Sequence, residues 1–451
     1  MSTPHRAGDP ALVLLVALLG AQFALLLTHW RHPLITDELY YVSRARYIAE
    51  HRRFAPIVPH SVAVDRGETT GNNEWRPPGY ALFVAFVSLG DFSDPAGALR
   101  LRVTVVQFAM VAALIIALYR LALRLGVQGR ARYAAAILLA APPWVFAFLN
   151  EIGPDPESVA LIGFALIALA AYVIEGGLRP LLVGTFLSTI ALFFRPEMIV
   201  MPPLFVAVAM LLRRRLSWRD AFAAGATFCA IVSLQAAYHT WFTGTPGIIG
   251  AQRIVNRGAF DWANTWLGTE KETYEFVYAV TERQLATVPD RAFDSAAERD
   301  EVRRIVERVH ARNDYAPADD AEFEKLAREK QRQHPIRVTL LRGWHGVHQW
   351  LNLETNFQLL NAMTSIPRPI RLPIHGALLL LRIAALALAC VATARALRHR
   401  SPAGDVVLLF MSYVVARTLL TGVVLNWNVH RYVVSAWPPL LWCAALALRE
   451  S

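Results

Sequence analysis

Long runs that are apolar around the full helical circumference alternate along the chain with polar segments of very unequal size. Ten runs are long enough to cross a bilayer, which takes roughly 20 residues of α-helix. They cover 10–30, 100–124, 131–149, 157–174, 178–194, 197–212, 221–241, 374–396, 404–425 and 431–448. A helix of a soluble domain keeps one face polar, and these do not. The pattern predicts an all-α polytopic membrane protein, a bundle of about 10 transmembrane helices. The first run has one weak basic flank, Arg6, and no small-residue cleavage site after it, so it reads as a retained span. An eleventh apolar stretch, Pro77 to Gly90, is 14 residues long. It is short for a span and fits a helix lying in the interface or packed in protein.

Charge decides which way the bundle faces. With the amino terminus cytoplasmic and 77–90 not crossing, three arginine groups fall inside: Arg120, Arg124, Arg130 and Arg132; Arg213, Arg214, Arg215 and Arg219; and Arg395, Arg398 and Arg400. Loops 149–156 and 426–430 fall outside and contain neither Lys nor Arg. Basic residues in short loops stay cytoplasmic, and a crossing at 77–90 would invert every later assignment. The weak point is 178–212, where two short runs meet at Arg195-Pro196-Glu197. The expected location is the cell inner (cytoplasmic) membrane, multi-pass, with the chemistry on the extracytoplasmic face.

The net charge of +10 does not point to nucleic acid. The largest polar segment, 242–372, holds 18 acidic and 18 basic residues, and the surplus sits in short loops. Cys229, Cys390 and Cys443 all lie in apolar runs, which argues against a disulfide framework. Three regions follow: a transmembrane module 1–241 with a first outer loop 31–99, a large extracytoplasmic helical loop 242–372, and carboxy-terminal transmembrane helices 373–451. In the large loop, charges of both signs at helical spacing in Glu298–Arg312 predict solvated helices around 282–334. Pro335 to Glu354 places Val338, Leu341, Trp344 and Leu351 near one face, the pattern of an amphipathic helix at the membrane surface.

Several polar groups on the outer side can carry chemistry. Asp37-Glu38 follows the first span and opens a helical stretch; the pair is either a set of helix-terminus carboxylates or a site. Adjacent helical residues diverge by about 100°, so at most one of the two points at a given reacting atom. Arg76-Pro77-Pro78 starts the short 77–90 helix, where Arg76 either anchors at the interface or meets an anion. Asn150 to Glu157 packs Glu151, Asp155 and Glu157 into one short loop and helix start. Arg195 sits between two apolar runs and Arg417 inside one; a charge at membrane depth lines a cavity or pairs. His430-Arg431-Tyr432 lies at the outer end of the last span, as an interfacial belt or as a phosphate contact. His345 and His348, three apart, have no third ligand at motif spacing.

Taken in order, these motifs resemble the GT-C superfamily of lipid-dependent glycosyltransferases, especially the protein O-mannosyltransferase and lipid A aminoarabinose transferase group. The likeness rests on Asp37-Glu38 after the first span, on Arg76-Pro77-Pro78 before a juxtamembrane helix, and on Ala98-Leu99-Arg100-Leu101 opening the next span. Asp155-Pro156 in an outer loop and Arg431-Tyr432 near a late span complete it. Trp75 stands where relatives often carry an acid, which puts the family's metal site in doubt, and 242–372 aligns with nothing.

The resemblance implies a GT-C-like bundle with extracytoplasmic juxtamembrane helices. It implies a polyprenyl-phosphate sugar as donor, inversion at the anomeric carbon, and a glycan, lipid or protein acceptor. On that reading Asp37 is the base, and Glu38 or Asp155 orients the acceptor or coordinates a divalent ion. Arg76, Arg431 and Arg195, with Tyr432 and His430, hold the leaving phosphate. Two other readings stand beside it. One is an O-antigen ligase or polymerase using a lipid pyrophosphate, against which the early Asp37-Glu38 pair speaks. The other is a transporter, which calls for charges at the midplane of several spans, whereas these spans are nearly charge-free.

Overall fold

In a computed structural model of the chain, the described residues are 9–28, 33–34, 36–54, 77–146, 148–214, 217–243, 246–248, 257–269, 272, 274–278, 280, 288–313, 315–351, 368–424 and 430–449. The side chains of 36–37, 242–243, 274, 278, 368, 370–372, 423–424 and 430–432 lie outside the description. Of the predicted site residues, Arg76 therefore falls outside it altogether. For Asp37, His430, Arg431 and Tyr432 only the backbone is described.

The chain forms two compact units: 1–249 with 353–414 and 434–451, and 250–352 with 415–433. No strand occurs among the described residues. In the first unit the helices are α1 (Pro10–Leu27), α2 (Thr36–His51), α3 (Gly79–Ser88), α4 (Arg100–Arg124), α5 (Ala131–Ala140), α6 (Asp155–Glu175), α7 (Leu178–Ile190), α8 (Met201–Arg213) and α9 (Trp218–Thr243). They continue with α14 (Arg368–Arg398), most of α15 (Pro402–Thr418) and α16 (Trp437–Ala447).

Among the described residues seven segments are apolar and long enough to span: Pro10–Leu27, Pro95–Arg124, Asp155–Glu175, Pro196–Arg213, Trp218–Trp241, Pro373–Arg398 and Pro402–Gly422. The other three predicted spans form shorter apolar helices, Ala131–Ala140, Leu178–Phe193 and Val433–Ala447. Their shortness has local causes. Pro142 and Pro143 follow α5 and turn the chain into a 3-10 turn at Pro143–Val145, because proline breaks the helical hydrogen-bond ladder. The 77–90 stretch is the ten-residue α3, as its length predicted.

Small residues bring the helices of this unit together. A Cβ on Gly163 would meet Leu114 at 2.4 Å, and one on Gly184 would meet Leu169 at 2.6 Å. The backbones of α6 and α4, and of α7 and α6, therefore approach closely, as small residues permit in membrane bundles. Arg382, in α14, is buried with its guanidinium 4.8 Å from the Trp144 ring and 5.6 Å from the Trp437 ring. Cation–π contact makes an arginine tolerable among apolar helices.

The second unit contains α10 (Arg257–Ala263), α11 (Ala296–Arg312), α12 (Pro317–Gln333) and α13 (Pro335–Leu351). Its core is aromatic: Trp262, Trp266, Phe276 and Phe323 pack with Val302, Ile305 and Val309. Asp319, fully buried at the start of α12, accepts from the Ala316 N–H at 2.8 Å and pairs with Arg308 and Arg312. Burial would raise its carboxyl, but the Ala316 N–H and the two guanidinium groups outweigh that and hold it below the ordinary carboxylate range. A depressed folded value means this contribution is present above the unfolded pKa, about 3.9, and is lost as pH falls through the folded one. Asp319→Asn is therefore expected to weaken the α11–α12 pair by about 1–3 kcal/mol at neutral pH. Amide exchange protection over 296–333 should fall accordingly, with the deficit shrinking in acid.

Candidate functional site

Polar residues of several loops of the first unit converge on the segment between α5 and α6. Asp94 starts the convergence: its two carboxylate oxygens accept from the N–H groups of Gly97 and Ala98 at 2.9 and 3.0 Å. This cap fixes a π turn over Pro95–Leu99 that delivers Arg100 at the first position of α4. There Arg100 is fully buried and grips Glu38 of α2 in a two-pronged fork, with Nη1 donating to Oε1 at 2.6 Å and Nη2 to Oε2 at 2.9 Å. The same Nη1 donates to the Asn150 carbonyl at 2.8 Å, and Glu38 Oε1 accepts from the Ile152 N–H at 2.9 Å. One buried pair thus ties the first turn of α2, the start of α4 and the loop 150–152. Such fork geometry is the strong form of the ion pair. Glu38 is committed to it, and Asp37, beside it in sequence, sits on the helix turn that it fixes.

A second cluster lies at the other end of the loop. Pro156 sits in the first turn of α6, a favoured place for proline, and Asp155 opens the helix. Arg195 leaves the 3-10 turn at the end of α7 in an extended conformation, with Pro196 starting the next turn. Its buried guanidinium binds the Asp155 carboxylate and lies 3.2 Å from Glu197. Gly79, first residue of α3, abuts this turn so closely that a Cβ there would fall 2.4 Å from the Phe193 carbonyl oxygen. The α3 start, immediately after Arg76-Pro77-Pro78, and the Arg195 turn are therefore neighbours.

Glu157, one turn into α6, is fully buried. Neither of its oxygens has a hydrogen-bond partner of normal length, and the Gln107 amide lies beside it. That amide donates instead to the Tyr80 hydroxyl and the Gly153 carbonyl, both at 3.1 Å. The described site is thus four carboxylates, Glu38, Asp155, Glu157 and Glu197, and two guanidinium groups, Arg100 and Arg195, gathered about residues 150–157 and buried.

The structure brings Glu38 and the Asp155–Arg195 pair to that one loop. It adds three residues that the predicted site did not include: Arg100, Glu197 and Glu157. Each had a signal in the chain, as the arginine of Ala98-Leu99-Arg100-Leu101, as the acid of Arg195-Pro196-Glu197, and as one of the loop's three carboxylates. In the second unit Arg417 is buried on α15. His345 there is buried and bonded through Nε2 to the Leu267 carbonyl at 2.9 Å. Among the described residues no group of three His, Cys, Asp or Glu side chains converges to hold a metal. Glu38 and Asp155 are each engaged by arginine, Glu38 by Arg100 and Asp155 by Arg195.

Residues 76–238 match the family described as dolichyl-phosphate-mannose-protein mannosyltransferase. Among solved structures, the apo oligosaccharyltransferase of Archaeoglobus fulgidus superposes with a TM-score of 0.52 at 13% identity, over 97% of this chain and 50% of that one. The chain has the GT-C fold. The resemblance to the GT-C superfamily is thereby borne out, and the multi-spanning helical architecture with it. The GT-C chain spans about half the length of the oligosaccharyltransferase. ArnT from Cupriavidus metallidurans bound to undecaprenyl phosphate aligns at 14% identity with a TM-score of 0.39, over 97% of this chain and 78% of that one. No curated protein matches.

Proposed function

We propose that this GT-C chain is a membrane glycosyltransferase that moves a sugar from a polyprenyl-phosphate donor to an acceptor hydroxyl, with inversion, on the extracytoplasmic side of the inner membrane. The observation that carries the reading is the buried gathering at residues 150–157, which lies within the segment matched by the mannosyltransferase family. In this reading Asp37 accepts the proton of the acceptor hydroxyl as that oxygen attacks the anomeric carbon, a general-base role. The bond to the lipid phosphate breaks in the same step, and charge grows on the departing phosphate. Arg76, Arg431, Tyr432 and His430 are the residues proposed to meet that charge. Glu38 and Arg100 position Asp37 by fixing the turn that carries it.

Arg195 takes a changed part. With two carboxylates already against it, it orients Asp155 toward the acceptor in place of binding phosphate. The three sequence regions, 1–241, 242–372 and 373–451, remain the working division of labour, with the catalytic motifs in the first and last.

The test compares donors. Purified protein with membrane extract should transfer radiolabelled sugar from one of a panel of polyprenyl-phosphate sugars and leave the matching polyprenyl-pyrophosphate sugars untouched. Use of the pyrophosphate donors would favour the ligase-like chemistry instead.

A further inference from the structure

The helix α13 presents two faces with opposite fates. Val338, His345, Gly346, Gln349 and Trp350 are buried. That side packs on the end of the apolar segment Pro402–Gly422. Trp350 Nε1 donates to Thr418 Oγ1 at 2.9 Å, and Thr421 Oγ1 lies 2.9 Å from Gln349 Oε1. A Cβ on Gly422 would come within 2.5 Å of the Gly346 Cα. Helices in such contact have axes about 8–10 Å apart, so α13 is held within one helix diameter of residues 418–422.

The other side is apolar and open. Ile336, Leu340, Trp344 and Val347 are 75%, 68%, 46% and 51% exposed, and they recur at spacings of four, four and three, which is one helical stripe. The sequence had placed Val338 and Leu341 with Trp344 on the outward face; Val338 instead turns into the protein, and the stripe is rotated toward Ile336 and Leu340. The preceding α11 and α12 bury only a few apolar residues each and are charged elsewhere. In α13 the balance differs: it carries two arginines, two histidines and no acid. Beside the stripe a groove of about 710 Å³ is lined by His334, Ile336, Arg337, Leu340 and Trp344.

We propose that α13 lies on the bilayer surface, with Ile336, Leu340, Trp344 and Val347 among the lipids and Arg337 against anionic headgroups. A basic helix with an apolar stripe and a tryptophan is what a membrane interface takes up. A second copy of this face would bring like charges together, so the lipid is the complementary occupant. The groove ends at Arg337, the side where a lipid phosphate would lie. Arg337 also lies 3.2 Å from Asp294, which holds it at that edge.

The test uses the full chain with Cys229→Ser and Cys390→Ser, leaving Cys443, which is buried. Leu340→Cys and Val347→Cys replace exposed residues, so neither should disturb the fold, and Lys325→Cys on α12 is the solvent control. Each is labelled with an environment-sensitive fluorophore and placed in nanodiscs of phosphatidylcholine and phosphatidylglycerol carrying a headgroup-proximal nitroxide lipid. Quenching should be several-fold stronger at 340 and 347 than at 325, and should weaken when phosphatidylglycerol is omitted. Quenching at 340 and 347 no greater than at 325 overturns the proposal. A dry fluorophore that lipid does not quench overturns it too, by showing a protein partner on this face. Quenching indifferent to phosphatidylglycerol removes the headgroup contact. None of these outcomes depends on the glycosyltransferase reading.

Discussion

Asp37→Asn is expected to lower sugar transfer by about 10²–10⁴-fold, the usual contribution of a positioned base, while the protein folds and melts close to its parent. The substitution keeps the shape of the side chain and removes its basicity. The surrounding turn is held by Glu38 and Arg100, 2.6 Å apart. A carboxylate in the first turn of α2 also interacts with the helix dipole, which is worth roughly 0.3–1 kcal/mol and sets the size of any change in thermal midpoint. Transfer is measured under single turnover with saturating donor, so that a change in donor affinity does not mimic a change in chemistry. If Asp37→Asn transfers sugar as fast as the parent, Asp37 is not the base.

The second large effect is on stability. Glu38→Ala leaves the Arg100 guanidinium buried against the Asn150 carbonyl with its carboxylate gone, and Arg100→Ala leaves Glu38 with the Ile152 N–H. Removing one partner of a buried pair costs about 3–5 kcal/mol, and each single variant should unfold at markedly lower temperature in detergent. The double variant Glu38→Leu with Arg100→Met should recover much of that loss, because the cost lies in the abandoned charge more than in the missing attraction. Activity should not recover with it, since the apolar pair no longer pins the loop 150–152 to the turn that carries Asp37. A double variant no more stable than the singles would mean that the pair stabilises on its own account.

The membrane-spanning pattern was readable because length and apolarity are local properties. Seven of the ten runs form helices long enough to span. The three that fall short do so around proline pairs and chain turns, which a hydropathy count does not weigh: Pro142-Pro143 after α5 and Pro438-Pro439 in α16. The charged residues of the loops beside the apolar runs were also readable, since polar groups there stand out. Their pairing was not. Glu38 and Arg100 are 62 residues apart and Asp155 and Arg195 are 40 apart, and nothing in spacing says which acid meets which arginine. Glu38 was therefore read as a ligand or acceptor-orienting group, whereas its carboxylate is held by Arg100. Arg195 stood among the phosphate contacts, whereas its guanidinium faces two acids. The face of α13 was missed by about one helical step, because burial on one side is decided by Thr418 to Gly422, far along the chain.

The most direct measurement uses a polyprenyl-phosphate sugar carrying one radiolabel in the sugar and another in the phosphorus. Purified protein is given this donor and an acceptor-bearing membrane extract, and lipid and acceptor fractions are counted separately. The sugar label should pass to the acceptor while the phosphorus label stays on the lipid, in equal amounts. Phosphorus arriving on the acceptor together with the sugar, or sugar that stays on the lipid throughout, would contradict the account.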